Sequence, residues 1–165
     1  MDREKSIQLL NTAVGEELQA VHQYMYFHFH LDDQGYGPLA TLLKRIAIQE
    51  MGHIELLADR ILFLRGDVEM KAAGDVEKIV EPERILAKAS QMEEDGARGY
   101  NAAAIECAAN ADSVSKQLFE QLVHDEERHF DEFDKQLDKI RRFGPSYLAL
   151  QSMGGAAEDE APPKG

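Results

Sequence analysis

Two segments of this chain carry a carboxylate and an imidazole at the same spacing: Glu50-Met51-Gly52-His53 and Glu126-Glu127-Arg128-His129. Residues three apart on a helix share a face, so each segment presents an oxygen and a nitrogen donor side by side. Carboxylate-rich donors with imidazole and no thiolate suit Fe or Mn, with Zn as a further occupant. A single Glu-x-x-His is common on solvated helix faces and means little. These two interrupt apolar stripes at positions where Leu or Ile belongs. One stripe reads Leu43, Ile46, Glu50, His53, Leu57, Ile61, Leu64 and the other Phe119, Leu122, Glu126, His129, Phe133, Leu137, Ile140. Both have the i, i+3, i+7 spacing of a buried helical face.

Two more stripes each carry one acid near the middle. They read Ile7, Leu10, Val14, Glu17, Val21, Tyr24, His28, Leu31 and Leu86, Ala89, Glu93, Ala97, Tyr100, Ala104, Cys107. Glu94 competes with Glu93 but lies about 100° off the stripe. A buried carboxylate is costly unless it is paired or binds metal. No Lys or Arg occupies any of the four stripes. Four carboxylates are neutralised by two divalent cations, so a dinuclear centre held by Glu17, Glu50, His53, Glu93, Glu126 and His129 is the expected solution.

These residues require long helices to position them. The pattern predicts α1 over 3–33, α2 over 38–65, α3 over 82–109, α4 over 112–143 and a short α5 over 145–153. Pro38, Pro82 and Pro145 fall where a first helical turn tolerates proline. DDQGYG (32–37) is a turn, Asp112 is a candidate N-cap, and Gly144-Pro145 ends α4. At about 1.5 Å per residue the long helices span roughly 40–48 Å, and the central acids fall within about two turns of one layer. Short α1–α2 and α3–α4 turns imply two antiparallel pairs in an all-α four-helix bundle. The link over 66–81 reaches about 50–55 Å when extended, enough to run the height of the bundle and let α2 and α3 be parallel. Residues 1–153 read as one bundle with its short fifth helix, and 154–165 as a disordered acidic tail.

Composition narrows the class. Acids outnumber bases 31 to 18, a net charge of −13, which disfavours a nucleic-acid partner and suits a protein that attracts cations. The one cysteine, Cys107, excludes an intrachain disulfide and a Cys-rich metal knuckle. No apolar run approaches the ~20 residues of a membrane span. The start, MDREKS, lacks the apolar segment of a signal peptide, and a cytoplasmic protein is the expectation.

At the six clustered donors the chain resembles the ferritin-like di-iron proteins, whose helices supply Glu, Glu-x-x-His, Glu, Glu-x-x-His. Within them it is similar to the bacterioferritins from α1 to α5, on EELQAVHQY, AIQEMGHIELLADRILFLRG, EEDGA, HDEERHFDEFDKQL and PSYLAL. The resemblance implies up-down-down-up topology with a long α2–α3 crossover. It implies a hollow 24-mer of two-fold dimers that stores ferric mineral. Glu50 and Glu126 would bridge two Fe ions in each subunit, His53 and His129 would each bind one, and Glu17 and Glu93 would be the outer ligands. The implied activity is ferroxidase, with Fe²⁺ and O₂ or H₂O₂ as substrates. Tyr24, one stripe step from Glu17, is a candidate hydrogen-bond partner or redox neighbour, and equally an ordinary core tyrosine.

Met51 points about 100° away from Glu50, onto an outer face with Lys44, Ile48 and Glu55. Leu18, His22, Met25 and Phe29 form a similar off-core stripe on α1, and such faces suit a two-fold contact. By resemblance, Met51 from each of two subunits would ligate a shared haem (b-type or iron-coproporphyrin), reduced by a ferredoxin-type donor to release iron. Read without the resemblance, Met51 is packing in that contact. The chain departs from many bacterioferritins at Arg45 and Gln49, where they carry the His and Asp of an accessory iron site. The alternative function is a stand-alone rubrerythrin-like di-iron peroxidase without mineral storage. A DNA-protecting mini-ferritin shell fits less well, because such shells build their site between subunits.

Overall fold

The structure, a computed structural model, describes residues 1–154, so the tail expected from 154 onward lies outside the described residues except for Gly154. It consists of α1 (Arg3–Asp33), α2 (Gly37–Phe63), α3 (Pro82–Ala109), α4 (Ser113–Phe143) and α5 (Pro145–Gly154). Helix α2 stops two residues short of its expected end, because Leu64 caps it and Arg65 turns into the left-handed region at φ 68°. Helix α4 starts one residue late, because Asp112 is its cap: the carboxylate accepts from the Ser115 N–H at 3.2 Å. The same carboxylate accepts from Arg60 Nη2 at 2.6 Å, tying the end of α2 to the start of α4. At α1, Asp2 caps by accepting from the Glu4 N–H at 3.0 Å.

The topology can be followed through the crossover's hydrogen bonds. Asn11 holds Asp67 and Glu69, the Ala73 N–H donates to the Gly15 carbonyl at 2.8 Å, Gln23 holds Glu77, and Gln34 donates to Val80 at 2.9 Å. The segment therefore climbs along α1 from its start to its end. Gly15 eases the close approach on the way: a Cβ there would make a tight 3.1 Å contact with the Lys71 carbonyl oxygen. Helix α3 thus begins at the end where α2 began and runs parallel to it. Asn110, at the far end of α3, bonds Asp2 and Ser6 at the start of α1. The result is an up-down-down-up four-helix bundle with a short fifth helix, the topology that the resemblance implies and the length of the 66–81 link permits.

The stripes face inward and form two apolar clusters. One gathers Tyr24, Phe27, Leu43, Ile46, Leu86 and Phe133, and the other Leu10, Val14, Leu57, Ile61, Phe119 and Leu122. Each such Leu, Ile or Phe contributes about 1.5–3 kcal/mol by leaving water. Glu17, Glu50, Glu93 and Glu126 each fall, along their own helix, between a residue of one cluster and a residue of the other. The apolar clusters therefore set the geometry of a polar layer between them. Among the described residues no helix is long and apolar enough to cross a membrane.

Candidate metal centre

All six expected donors meet in that layer, each at most 5% exposed. They form two overlapping groups, Glu17, Glu50, His53, Glu126 and Glu50, Glu93, Glu126, His129, in each of which one donor atom per residue lies within 4.8 Å of the others. Glu50 and Glu126 belong to both. His53 Nδ1 lies 2.8 Å from Glu50 Oε2, 3.0 Å from Glu17 Oε1 and 3.6 Å from Glu126 Oε1. His129 Nδ1 lies 2.9 Å from Glu50 Oε1 and 3.4 Å from Glu93 Oε2. The imidazole rings are nearly parallel, 21° apart in plane with centroids at 5.9 Å.

Much of this closeness is not hydrogen bonding. Both Glu50 oxygens, Glu93 Oε2, Glu126 Oε1 and both His129 nitrogens are buried with no hydrogen-bond partner. Orphaned buried polar atoms are costly, and here they converge from three helices, α2, α3 and α4, on a common space. The donor set and its unmet valences fit a pair of divalent cations.

The electrostatics show how the layer is neutralised without metal. Burial and the charge on Glu50 push Glu17 up to about 8, against the opposing pull of His53. Burial, then the neighbouring Glu93, Glu17 and Glu50 charges, hold Glu126 well above the carboxylate range, and burial also raises Glu93. Burial disfavours the imidazolium of His53, but Glu17 and Glu50 outweigh it and raise the group to about 10. His129 rises against its burial to about 9, through Glu50 and Glu93. Glu50 resists its burial and stays near 2 because both imidazoles face it. Protons can thus take the role that cations would otherwise fill.

Tyr24 proves to be a partner of the opposite helix. Its hydroxyl donates to Glu93 on α3, while Tyr100 on α3 donates to Glu17 Oε1 on α1 at 2.7 Å. Each ring packs on an α4 phenylalanine, Tyr24 on Phe133 and Tyr100 on Phe119, with centroids at 5.4 and 5.9 Å. Sequence reasoning placed Tyr100 in the stripe and gave it no role. The signal was the repeated Glu-x₆-Tyr, Glu17/Tyr24 and Glu93/Tyr100, on both helices. Asp125 was also missed: its Oδ2 lies 3.3 Å from His53 Nε2, whereas His129 Nε2 has no such neighbour. A cavity of about 250 Å³ between α1 and α3 ends on Glu17, Tyr24, Tyr100 and Glu126.

Other sequence candidates lie apart. Glu94 faces solvent, 3.6 Å from Arg98. Met51 is 53% exposed, with exposed Ile48 one turn before it. Arg45 pairs with Glu132 and donates to Gln49 at 3.3 Å. His28 bonds the Ala40 carbonyl through Nδ1 at 2.8 Å, a structural tie between α1 and α2, and His22 and His124 are exposed.

Residues 7–143 match the family model described as ferritin-like domain. The chain is 35% identical to the bacterioferritin of Desulfovibrio desulfuricans over 145 residues, 88% of this chain and 81% of that one. It is 36% identical to the bacterioferritin of Rhodobacter capsulatus over 147 residues, 88% and 91% of the two chains. It superposes on a crystal structure of the D. desulfuricans protein, one of a set describing its diiron site in different catalytic states, with a TM-score of 0.91 and 33% identity over 99% and 95% of the two chains.

Proposed function

The chain belongs to the bacterioferritins of the ferritin-like family, and from that premise we propose that it oxidises Fe²⁺ and stores the product as ferric mineral. The observation that carries the reading is the pair of overlapping donor groups sharing the buried, unpartnered oxygens of Glu50 and Glu126. Glu50 and Glu126 would hold both cations, Glu17 and His53 would complete one position, and Glu93 and His129 the other. The bound iron pair supplies the redox chemistry, giving two electrons to O₂ or H₂O₂ as two Fe²⁺ become two Fe³⁺.

The protein's own part is electrostatic and positional. As cations enter, the imidazoles and the raised carboxyls give up protons, so the charge of the layer changes little. Asp125 beside His53 Nε2 favours the tautomer that leaves Nδ1 free to face Glu17 and Glu50. Tyr100 and Tyr24 each fix one oxygen of Glu17 and Glu93, so these carboxylates keep a set orientation. The 250 Å³ cavity offers small reactants a way to Glu126.

The assembly is a 24-mer of two-fold dimers enclosing the mineral, in the cytoplasm, with no nucleic-acid partner. Met51 from each of two subunits would hold a haem, which would supply electrons for iron release. Met51 suits this, being exposed beside Gly52, where no atom lies within 4 Å of a built Cβ. A ferredoxin-type protein would be the electron donor. Aerobic Fe²⁺ addition followed by size-exclusion, with iron and haem quantified, tests the whole reading. Iron far above two per subunit co-eluting with a shell-sized particle, and a Soret band altered in Met51→Leu, are expected. Iron uptake that stops at two per subunit would favour the peroxidase instead.

A further inference from the structure

Gly96 lies in the interior of α3, one turn after Glu93, where glycine weakens a helix relative to alanine. Gly99, one turn on, has room for a side chain: a Cβ there would come no closer than 3.8 Å to Glu16 Oε2. Gly96 has none. A Cβ at 96 would lie 2.5 Å from Glu126 Oε2 and 3.4 Å from Glu126 Cδ, closer than a Cβ and an oxygen can approach. The obstructed atom is the tip of a side chain, which ordinarily yields cheaply. Glu126 is 5% exposed, and its other oxygen is one of the buried unpartnered atoms of the centre. Its carboxylate is also one of two that belong to both donor groups. Moving it disturbs both cation positions at once. Gly96 and Glu126 line the same cavity, so a Cβ would intrude on the approach as well.

We propose that Gly96 is a positioning residue of the metal centre: the side chain it lacks is the space in which the Glu126 carboxylate sits, and the helix gives up stability at 96 to keep that carboxylate in reach of both cations. This rests on the metal-centre reading above. Co²⁺ is the probe, followed by its visible absorbance, with thermal melting of the metal-free protein alongside. Wild type binds two Co²⁺ per subunit. Gly96→Ala loses at least about tenfold in affinity at both steps, the range seen when a ligand's support is removed. Its metal-free form melts no lower than wild type, since alanine favours the helix. Gly99→Ala binds as wild type does. In a Glu126→Asp background, where the carboxylate is withdrawn by one methylene, adding Gly96→Ala costs no further affinity.

Wild-type Co²⁺ binding by Gly96→Ala overturns the proposal, and so does an undiminished loss in the Glu126→Asp background. A metal-free Gly96→Ala protein that melts early or does not fold overturns it too, because the clash would then fall on helix packing. Failure of wild type to bind a Co²⁺ pair is a different result, which sinks the metal-centre reading and this inference with it.

Discussion

The His53 end and the His129 end of the centre are built from the same parts. Each has an imidazole from a Glu-x-x-His segment, an outer carboxylate, and a tyrosine from the opposite helix bonded to that carboxylate. They differ behind the imidazole. His53 Nε2 faces Asp125, which is partly exposed, whereas His129 is wholly buried and its Nε2 has no partner. In register, the residue before Glu126 is Asp125 and the residue before Glu50 is Gln49, which is engaged by Arg45. A near two-fold arrangement has thus been given one anchored end and one unanchored end. A chain can duplicate the charge-bearing residues of a site and still grade its two positions through what stands behind them.

Glu50→Ala tests what the ends share and carries the largest expected effect. Both Co²⁺ are lost, by more than about a hundredfold in affinity, since even an outer support is worth about 10–100-fold. Retention of one tight Co²⁺ would show the ends to be independent. Asp125→Asn should weaken one of the two Co²⁺ steps by about tenfold and spare the other. Equal weakening of both would break the distinction between the ends. Tyr100→Phe and Tyr24→Phe remove matched hydrogen bonds to carboxylates, each worth about 1.5–3 kcal/mol at its own end. The two variants should lose Co²⁺ affinity to similar extents, one at each step.

A further test concerns pH and the metal-free protein. His53 and His129 sit at about 10 and 9 against an ordinary 6.5, so their stabilisation is complete below about pH 6.5 and is lost as pH rises through 9 to 10. Glu17, raised from 4.5 to about 8, adds an ionisation penalty that grows over that interval, with the same sign. The melting temperature of the metal-free form should therefore fall from pH 6.5 to 10. Co²⁺ affinity should rise over the lower part of that range, because binding displaces protons. A melting temperature that climbs with pH would contradict the proton-filled layer.

The bundle was legible because its evidence is local. Stripes such as Leu43, Ile46, Leu57, Ile61 repeat at the helical period, and Pro38, Pro82, Pro145, Asp112 and Gly144 punctuate them. The choice of Glu93 over Glu94 followed from the same period. The end of α2 was misjudged because the turn at Arg65 depends on a positive φ that no glycine announces. Tyr24 and Glu93 were each singled out and their pairing was not, because it joins two helices far apart in the chain.

The amino-acid order by itself determined which face each helix buries and that four carboxylates and two imidazoles fall within about two turns of one layer. Both follow from a fixed 3.6-residue period and the price of burying charge, and neither needs a neighbour's position. Only the tertiary structure decided that Tyr24 serves Glu93 and Tyr100 serves Glu17, that Asp125 backs His53 alone, and that Glu126 fills the space above Gly96. Those relations depend on how helices far apart in the chain are set side by side, to within an ångström, by the apolar clusters on either side of the layer.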